Sequence, residues 1–431
     1  MTKVARLFVL LALAGCAGGT EGSLSADDPI GPGLFVPGDV VSEQTAQELA
    51  FEHIQQDADM LAGVDGLEPG LVSVDRFGGA HSRFEQTVNG VPVLGGQAIV
   101  HLADDGTFAG YTDALVRNPK VDTTPHLTAD EATDLAVLSV GGWHTVTGSP
   151  NVDLVIVPDP RGAHLTWRVQ IAQFEPGAAP AAPLVFVDAH SGEEVLSYNN
   201  LRTDFPHDTS PHDPDDYTAY DTYDAQEQTS DDFSDYRLAL VGDTIAETAH
   251  QNVGLSLAYF WNAHERKSFD DDLDDDGNGA VVNSAVHYDY QYVNAFWYLD
   301  ALYFGDGDGV YSDALVSLDI VAHELSHGVT EYSADLIYQD ESGALNEATS
   351  DMFAAAVEAV NGGSFTDIWW VGEDIWLDGD ALRYMNDPAL AGDPDYYPDR
   401  LIGYEDNGYV HWNSGIANLW FHLLSEGGIH P

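Results

Sequence analysis

In "IVAHELSHGV", His323 and His327 stand four residues apart, with Glu324 directly after the first. On a helix, residues i and i+4 share a face, so both imidazoles can point at one ion. Glu324 lies about 100° around the helix from His323. It can reach something bound to that ion without sharing the histidines' role. HExxH is a spacing of zinc hydrolases for this reason. A catalytic zinc takes three protein ligands and keeps a fourth position open.

One more ligand must therefore come from elsewhere. A histidine six residues beyond His327, after a glycine at 330, would make a longer motif, but those positions hold Ser333 and Thr330. The alternative is an acid on a following helix. "GALNEATSD" carries Glu347 and, one turn on, Asp351. The Ala-rich helix around them reads as buried, where acids rarely sit unpaired. A ligating histidine usually donates its other ring N–H to a carboxylate or carbonyl, a role open to Asp351.

Two helices must position these groups. "SLDIVAHELSHGVTEYSA" reads as the first, with Ser317 as its N-cap. "SGALNEATSDMFAAAVEAVNGG" reads as the second, stopped by Gly362-Gly363. A helix over about 245–264 comes before them, and "NSGIANLWFHLLSEGG" follows. Residues 50–200 read differently, as short strands around one helix. Asn89-Gly90 marks a hairpin, and Ser191-Gly192 a turn between strands. Thr128 and Glu131 form a capping box. Between the two regions, residues 203–221 turn to Pro, Asp and Ser, an exposed boundary and cleavage region. His207 and His212 there read as solvated.

The 431 residues suit two or three domains, and the 44% apolar content supplies real cores. The net charge is -58, and only Arg237, Arg266, Lys267, Arg383 and Arg400 are basic after residue 203. Such a surface repels phosphate backbones and anionic lipid, so no nucleic acid partner is expected. The start, "MTKVARLFVLLALAGCAGG", has a basic head, an apolar run too short to span a membrane, and small residues. "LAGC" fits a lipoprotein cleavage box, or an ordinary signal peptide with a chance cysteine. Cys16 is the only cysteine, so the folded part has neither a disulfide nor a cysteine ligand, and calcium is the natural brace.

"DIVAHELSHGVTEYSADLIYQDESGALNEATSD" resembles the thermolysin family of zinc metallopeptidases, including the nineteen residues between His327 and Glu347. "VNAFWY", "GDGDG", "VGED", "LRYMNDP" and "DNGYVHWNSG" follow the family's order. "HSRFEQTVNGVPVLGG" resembles its fungalysin/thermolysin-type propeptide, and 125–198 a second, PepSY-like inhibitory module.

The resemblance implies an α+β fold: propeptide modules, then a zincin catalytic domain with a β-rich first part and a helical lobe. It implies an endopeptidase made as an autoinhibited precursor, acting on protein substrates and folded with the help of its own propeptide. His323, His327 and Glu347 would bind zinc, with Glu324 as general base and Asp351 behind a ligand. His411 and Tyr338 would hold the oxyanion, with Asp406 orienting His411. Asn294, the Ala295 carbonyl and Arg383 would grip the substrate backbone. Ile320, Val371, Ile375 and Leu382 would line a pocket for the bulky apolar side chain after the cut. Asp319, Glu358, Asp367 and Glu373 match a calcium cluster, with Trp370 at one of its acidic positions, so one ion is expected there.

In "DDDLDDDGNG", Asp272, Asp274, Asp276 and Gly277 fit the start of an EF-hand loop, but its twelfth position is Asn283. It reads as an isolated calcium loop or a solvated acidic turn. The family continues through further helices, whereas this sequence ends twenty residues after His411. Either the sequence is a fragment or the lobe is reduced, and a reduced lobe would expose apolar faces such as that of Leu419, Trp420 and Leu423. The expected order is an export signal over 1–16, a linker over 17–49, pro-modules over 50–118 and 119–200, a processing region over 201–220, and the peptidase over 221–431. The product would be a secreted monomer, or an outer-membrane lipoprotein before processing, touching membrane only through a lipid on Cys16. The competing reading is a calcium-binding surface lipoprotein on a truncated, catalytically impaired peptidase fold.

Overall fold

The structure is a computed structural model. It describes residues 43–58, 60–74, 78–159, 162–174, 180–203, 218–222, 244–271, 280, 282–288, 291–364, 367–377 and 379–430. Cys16 with the export signal, His207, His212 and the acidic loop from Asp272 to Gly277 lie outside the described residues.

The first half opens with helix α1 (Glu43–Gln56), where the sequence reading expected linker up to 49. Ala46, Ala50 and Ile54 recur at helical spacing and are buried with Phe84 and Val100. Strands β1 (Gly66–Val74), β2 (Ala80–Val88), β3 (Val91–Leu102) and β4 (Phe108–Asp113) follow. Asn89 and Gly90 make the β2–β3 turn with φ of 49° and 80°, the left-handed pair that a tight hairpin needs. Helix α2 (Ala129–Ser139) starts at Thr128, whose capping box with Glu131 is formed in both directions. Strands β5 (Asn151–Asp159), β6 (Gly162–Gln170), β7 (Pro183–Asp188) and β8 (Glu194–Asn199) complete one large sheet, ordered β1-β2-β3-β5-β6-β7-β8, with β4 on β3. β1 and β8 stand at the two ends of that order.

The second half carries a five-stranded sheet and the helices. Strands β9 (Arg202–Thr203), β10 (Thr218–Thr222), β11 (Val282–Val286), β12 (Ala295–Tyr298) and β13 (Ala301–Phe304) order as β10-β11-β13-β12-β9. Helices α3 (Thr244–His264), α4 (Leu318–Glu331), α5 (Asp340–Asn361) and α6 (Asp406–Glu426) pack beside it. Ser317 stands at the N-cap of α4, but its hydroxyl donates to Asp319 Oδ1 at 2.5 Å and does not cap the helix. An acid two residues on competes for the hydroxyl. Helix α5 is rich in alanine and ends at Gly362, whose φ of 99° makes a left-handed C-cap.

The main core joins α3, α4, α5 and β12, with Val253, Trp297, Leu325 and Val357 all buried. Gly328 sets how close α4 comes to the sheet. A Cβ there would lie 2.7 Å from Trp297 Cζ2. A two-stranded ribbon, β14 (Trp370–Val371) with β15 (Arg383–Tyr384), crosses α5 and pairs Val371 with Arg383. At the start of α6, Asp406, Asn407, Gly408 and Tyr409 all have positive φ, so a left-handed turn delivers His411. On α6, Leu419 is buried, contrary to the exposure expected for it, while Trp420 is half exposed. Leu419 belongs to the helix's inner face; Trp420 follows it on the outer one.

Candidate active site

His323 and His327 lie fully buried on α4. The Nδ1 of His323 donates to Asp351 Oδ1 at 2.8 Å. The Nδ1 of His327 donates to Asn346 Oδ1 at 2.8 Å. Each Nδ1 proton is thereby assigned, which leaves a lone pair on each Nε2. These two nitrogens face each other at 3.1 Å. Glu347 reaches across from α5, with Oε2 3.4 Å from His323 Nε2 and Oε1 3.4 Å from His327 Nε2. Two lone pairs and a carboxylate converging in a buried site repel one another unless a cation sits between them. His323, His327 and Glu347 form one group able to hold a metal ion, and two imidazoles with one carboxylate suit zinc. The residues present thus fit the metal. Glu324, on the same helix, is fully buried.

Asp351 is held by four donors. Besides His323, it accepts from Arg383 Nε at 2.9 Å, Arg383 Nη2 at 2.7 Å and Asn418 Nδ2 at 2.7 Å. Burial works against its charge, but the Arg383 guanidinium and the His323 ring hold its carboxyl down at about 2. Burial likewise opposes the charge on Glu347, yet the charged His411 ring keeps its carboxyl well below the usual range.

The opposite wall comes from α6 and the loop before α5. Asp406 clamps His411 with both oxygens, accepting from Nδ1 at 2.7 Å and from the backbone N–H at 3.0 Å. Burial alone would push the His411 ring down, but Asp406 and Glu347 raise it to about 9. Its Nε2 lies 3.4 Å from Tyr338 Oη and 3.6 Å from Glu347 Oε1. Tyr338 donates to Glu347 Oε1. Burial, then the Glu347 charge, lifts its hydroxyl well above the ordinary value.

Among the expected substrate groups, Asn294 is buried, with Oδ1 accepting from the Ala295 N–H at 2.9 Å. Arg383 is buried against Asp351. Ile320, Val371 and Ile375 are buried in the main core, and Leu382 is partly buried against it. Of the four expected calcium residues, two lie in one group able to hold a metal ion. Glu358 and Glu373 converge with Asp374. Asp319 accepts from Ser317 and from the Gly372 N–H at 2.5 Å, and it lies close enough to Asp374 for the two carboxylates to repel each other. The turn after β14 swings Asp374 towards Glu358, and α4 turns Asp319 to the Gly372 backbone. The side chain of Asp367 lies outside the described residues.

Sequence reasoning missed Asn346, Asn418 and Asp374. Asn346 had a signal: Asn346 with Ser350, and Glu347 with Asp351, are two polar i,i+4 pairs in the alanine-rich helix. Nothing local marks Asn418.

Such a helix-borne His-His-Glu centre defines a zinc peptidase. Residues 191–331 match the sequence profile of the thermolysin metallopeptidase catalytic domain, 334–430 that of its alpha-helical domain, and 71–115 the fungalysin/thermolysin propeptide motif. Bacillolysin of Brevibacillus brevis is 36% identical over 386 residues, covering 81% of this chain and 70% of that one. Thermolysin of Alicyclobacillus acidocaldarius subsp. acidocaldarius is 32% identical over 452 residues, covering 92% and 81%. Thermostable neutral protease NprT of Geobacillus stearothermophilus is 32% identical over 455 residues, with the same coverage. The chain belongs to the thermolysin family: it is a zinc metalloendopeptidase preceded by its propeptide.

Proposed function

We propose that His323, His327 and Glu347 hold the catalytic zinc and that Glu324 is the general base. The 3.1 Å approach of two Nε2 lone pairs, with both Nδ1 atoms already committed, carries this reading. Bound there, zinc supplies a Lewis acid that lowers the pKa of water towards about 7. Glu324 takes the proton of the attacking water and returns it to the departing amine. His411, charged and clamped by Asp406, donates from Nε2 to the oxyanion that grows on the peptide carbonyl, and Tyr338 donates beside it. Arg383, Asn294 and the Ala295 carbonyl hold the substrate backbone, while Asp351 fixes the His323 ring.

The cluster of Ile320, Val371, Ile375 and Leu382 supports a preference for Leu, Phe or Ile after the cut bond. Glu358, Glu373 and Asp374 are the candidate calcium ligands, since hard carboxylate oxygens suit that ion. The basic and apolar N-terminus supports export, to the medium or as a lipoprotein through Cys16. The product works as a monomer. The pro-part runs from Glu43 to about 200 and is removed by cleavage within 201–220, leaving the peptidase from about 221. No helix among the described residues is long and apolar enough to cross a membrane.

Chelation tests the reading. The purified chain should lose peptide cleavage with 1,10-phenanthroline and regain it with stoichiometric zinc. Activity that survives complete zinc removal would overturn it.

A further inference from the structure

The pro-part and the peptidase touch at a group that the proposed mechanism leaves unused. Asn199 ends β8, and its inner side is paired with Pro183 on β7. Its outer side faces the left-handed turn of α6. There Asn407 Nδ2 donates to the Asn199 carbonyl at 2.6 Å, and Asn407 Oδ1 accepts from the Asn199 N–H at 3.3 Å. One carboxamide answers both backbone groups of one residue, as a neighbouring strand does. Asn407 has φ of 48°, a left-handed conformation that asparagine tolerates better than most residues. Its neighbour Asp406 clamps His411.

The same segment has a second anchor. Leu201 is buried with Tyr292 and Phe296. Arg202 and Thr203 then pair antiparallel with Trp297 and Phe296 on β12, the strand that begins at Ala295. Residues 199–203 therefore run from the His411 turn to the β12 edge, bound through main chain at both ends. Sheet-edge addition of this kind accepts an extended peptide with little regard to its side chains. The segment's direction matters. Going from Arg202 to Thr203 opposes Trp297 and then Phe296, so the chain heads towards Ala295. Asn199 thus lies on the N-terminal side of any bond the segment would present to the zinc centre.

We propose that the Asn407 carboxamide is a main-chain subsite of the peptidase. In the precursor the Asn199 backbone occupies it. After the pro-part leaves, it takes the backbone of an extended peptide substrate, at residues preceding the cut bond. The proposal rests on the peptidase reading above. A neutral amide is needed, because it offers both a donor and an acceptor; a carboxylate would repel the peptide carbonyl.

The test uses the full chain, allowed to mature by its own processing, with Asn407→Asp and Asn407→Gly. Aspartate keeps the shape and tolerates the left-handed turn but lacks the donor. Glycine removes the group and fits the same φ. Each is assayed on a furylacryloyl dipeptide amide and on a peptide extended by four residues before the bond. The ratio of kcat/KM, extended over short, should fall about tenfold in both variants, through KM. An unchanged ratio in zinc-loaded variants overturns the subsite. A zinc-loaded wild type that cleaves neither peptide overturns the peptidase reading, and the subsite with it. A second measurement needs no turnover. In the full chain carrying Glu324→Gln, hydrogen exchange at the Asn199 amide should quicken about tenfold with Asn407→Gly. Unchanged exchange overturns the precursor half of the proposal.

Discussion

Asp351 accepts a hydrogen bond from His323 Nδ1 at 2.8 Å and, through the same carboxylate, two from Arg383. The arginine assigned to the substrate backbone is thus also the counter-charge for the carboxylate behind a metal ligand. Asp351→Asn keeps the shape but leaves the buried guanidinium without that charge, and weakens the hold on His323. Zinc affinity should fall about 10- to 100-fold, read by competition with a chelator of known strength. Wild-type affinity in the variant would contradict the role.

Tyr338 and His411 reach the same point from two sides, 3.4 Å apart. If both donate to the developing oxyanion, Tyr338→Phe and His411→Ala should each lower kcat by about 10²–10³ with KM little changed. A loss confined to KM would show that they serve binding instead.

Asp393 gives a pH dependence of stability. Burial pushes its carboxyl from 3.8 up to about 7, and Arg383 only partly offsets that. Between these values the native state keeps a proton that the unfolded chain has lost. Stability from this group is full below 3.8 and declines as pH rises to about 7. Asp393→Asn cannot ionise. Its melting temperature should exceed the wild type's at pH 8 and match it near pH 4. A constant difference at both pH values would contradict this.

Gly328 separates two opposing effects. Alanine raises helix propensity by about 1 kcal/mol. Overpacking of a tight site costs about 1–3 kcal/mol. With Trp297 2.7 Å from the new Cβ, the clash should win, and Gly328→Ala should melt several degrees lower. A higher melting temperature would mean that the Trp297 ring yields freely.

Much of the centre was legible because helical spacing fixes it. Four residues put His323 and His327 on one face, and the same interval joins Glu347 to Asp351. The hairpin at Asn89-Gly90 and the capping box at Thr128 were legible because those residues satisfy local backbone needs. Asn418 and Asn407 were not, since each partner is distant in sequence: Asp351 lies 67 residues away, and Asn199 lies 208 away. Helix α1 was hidden by its polar outer face, which resembles the linker before it. Asp374 was not legible because its partner Glu358 lies on another element and the two meet only in the folded chain.

The most direct test of the account is Glu324→Gln in the full chain, with zinc content and peptide cleavage measured together. Zinc should stay at wild-type stoichiometry, cleavage should fall by about 10² or more, and the precursor should fail to process itself. Undiminished cleavage by the zinc-loaded variant would contradict it.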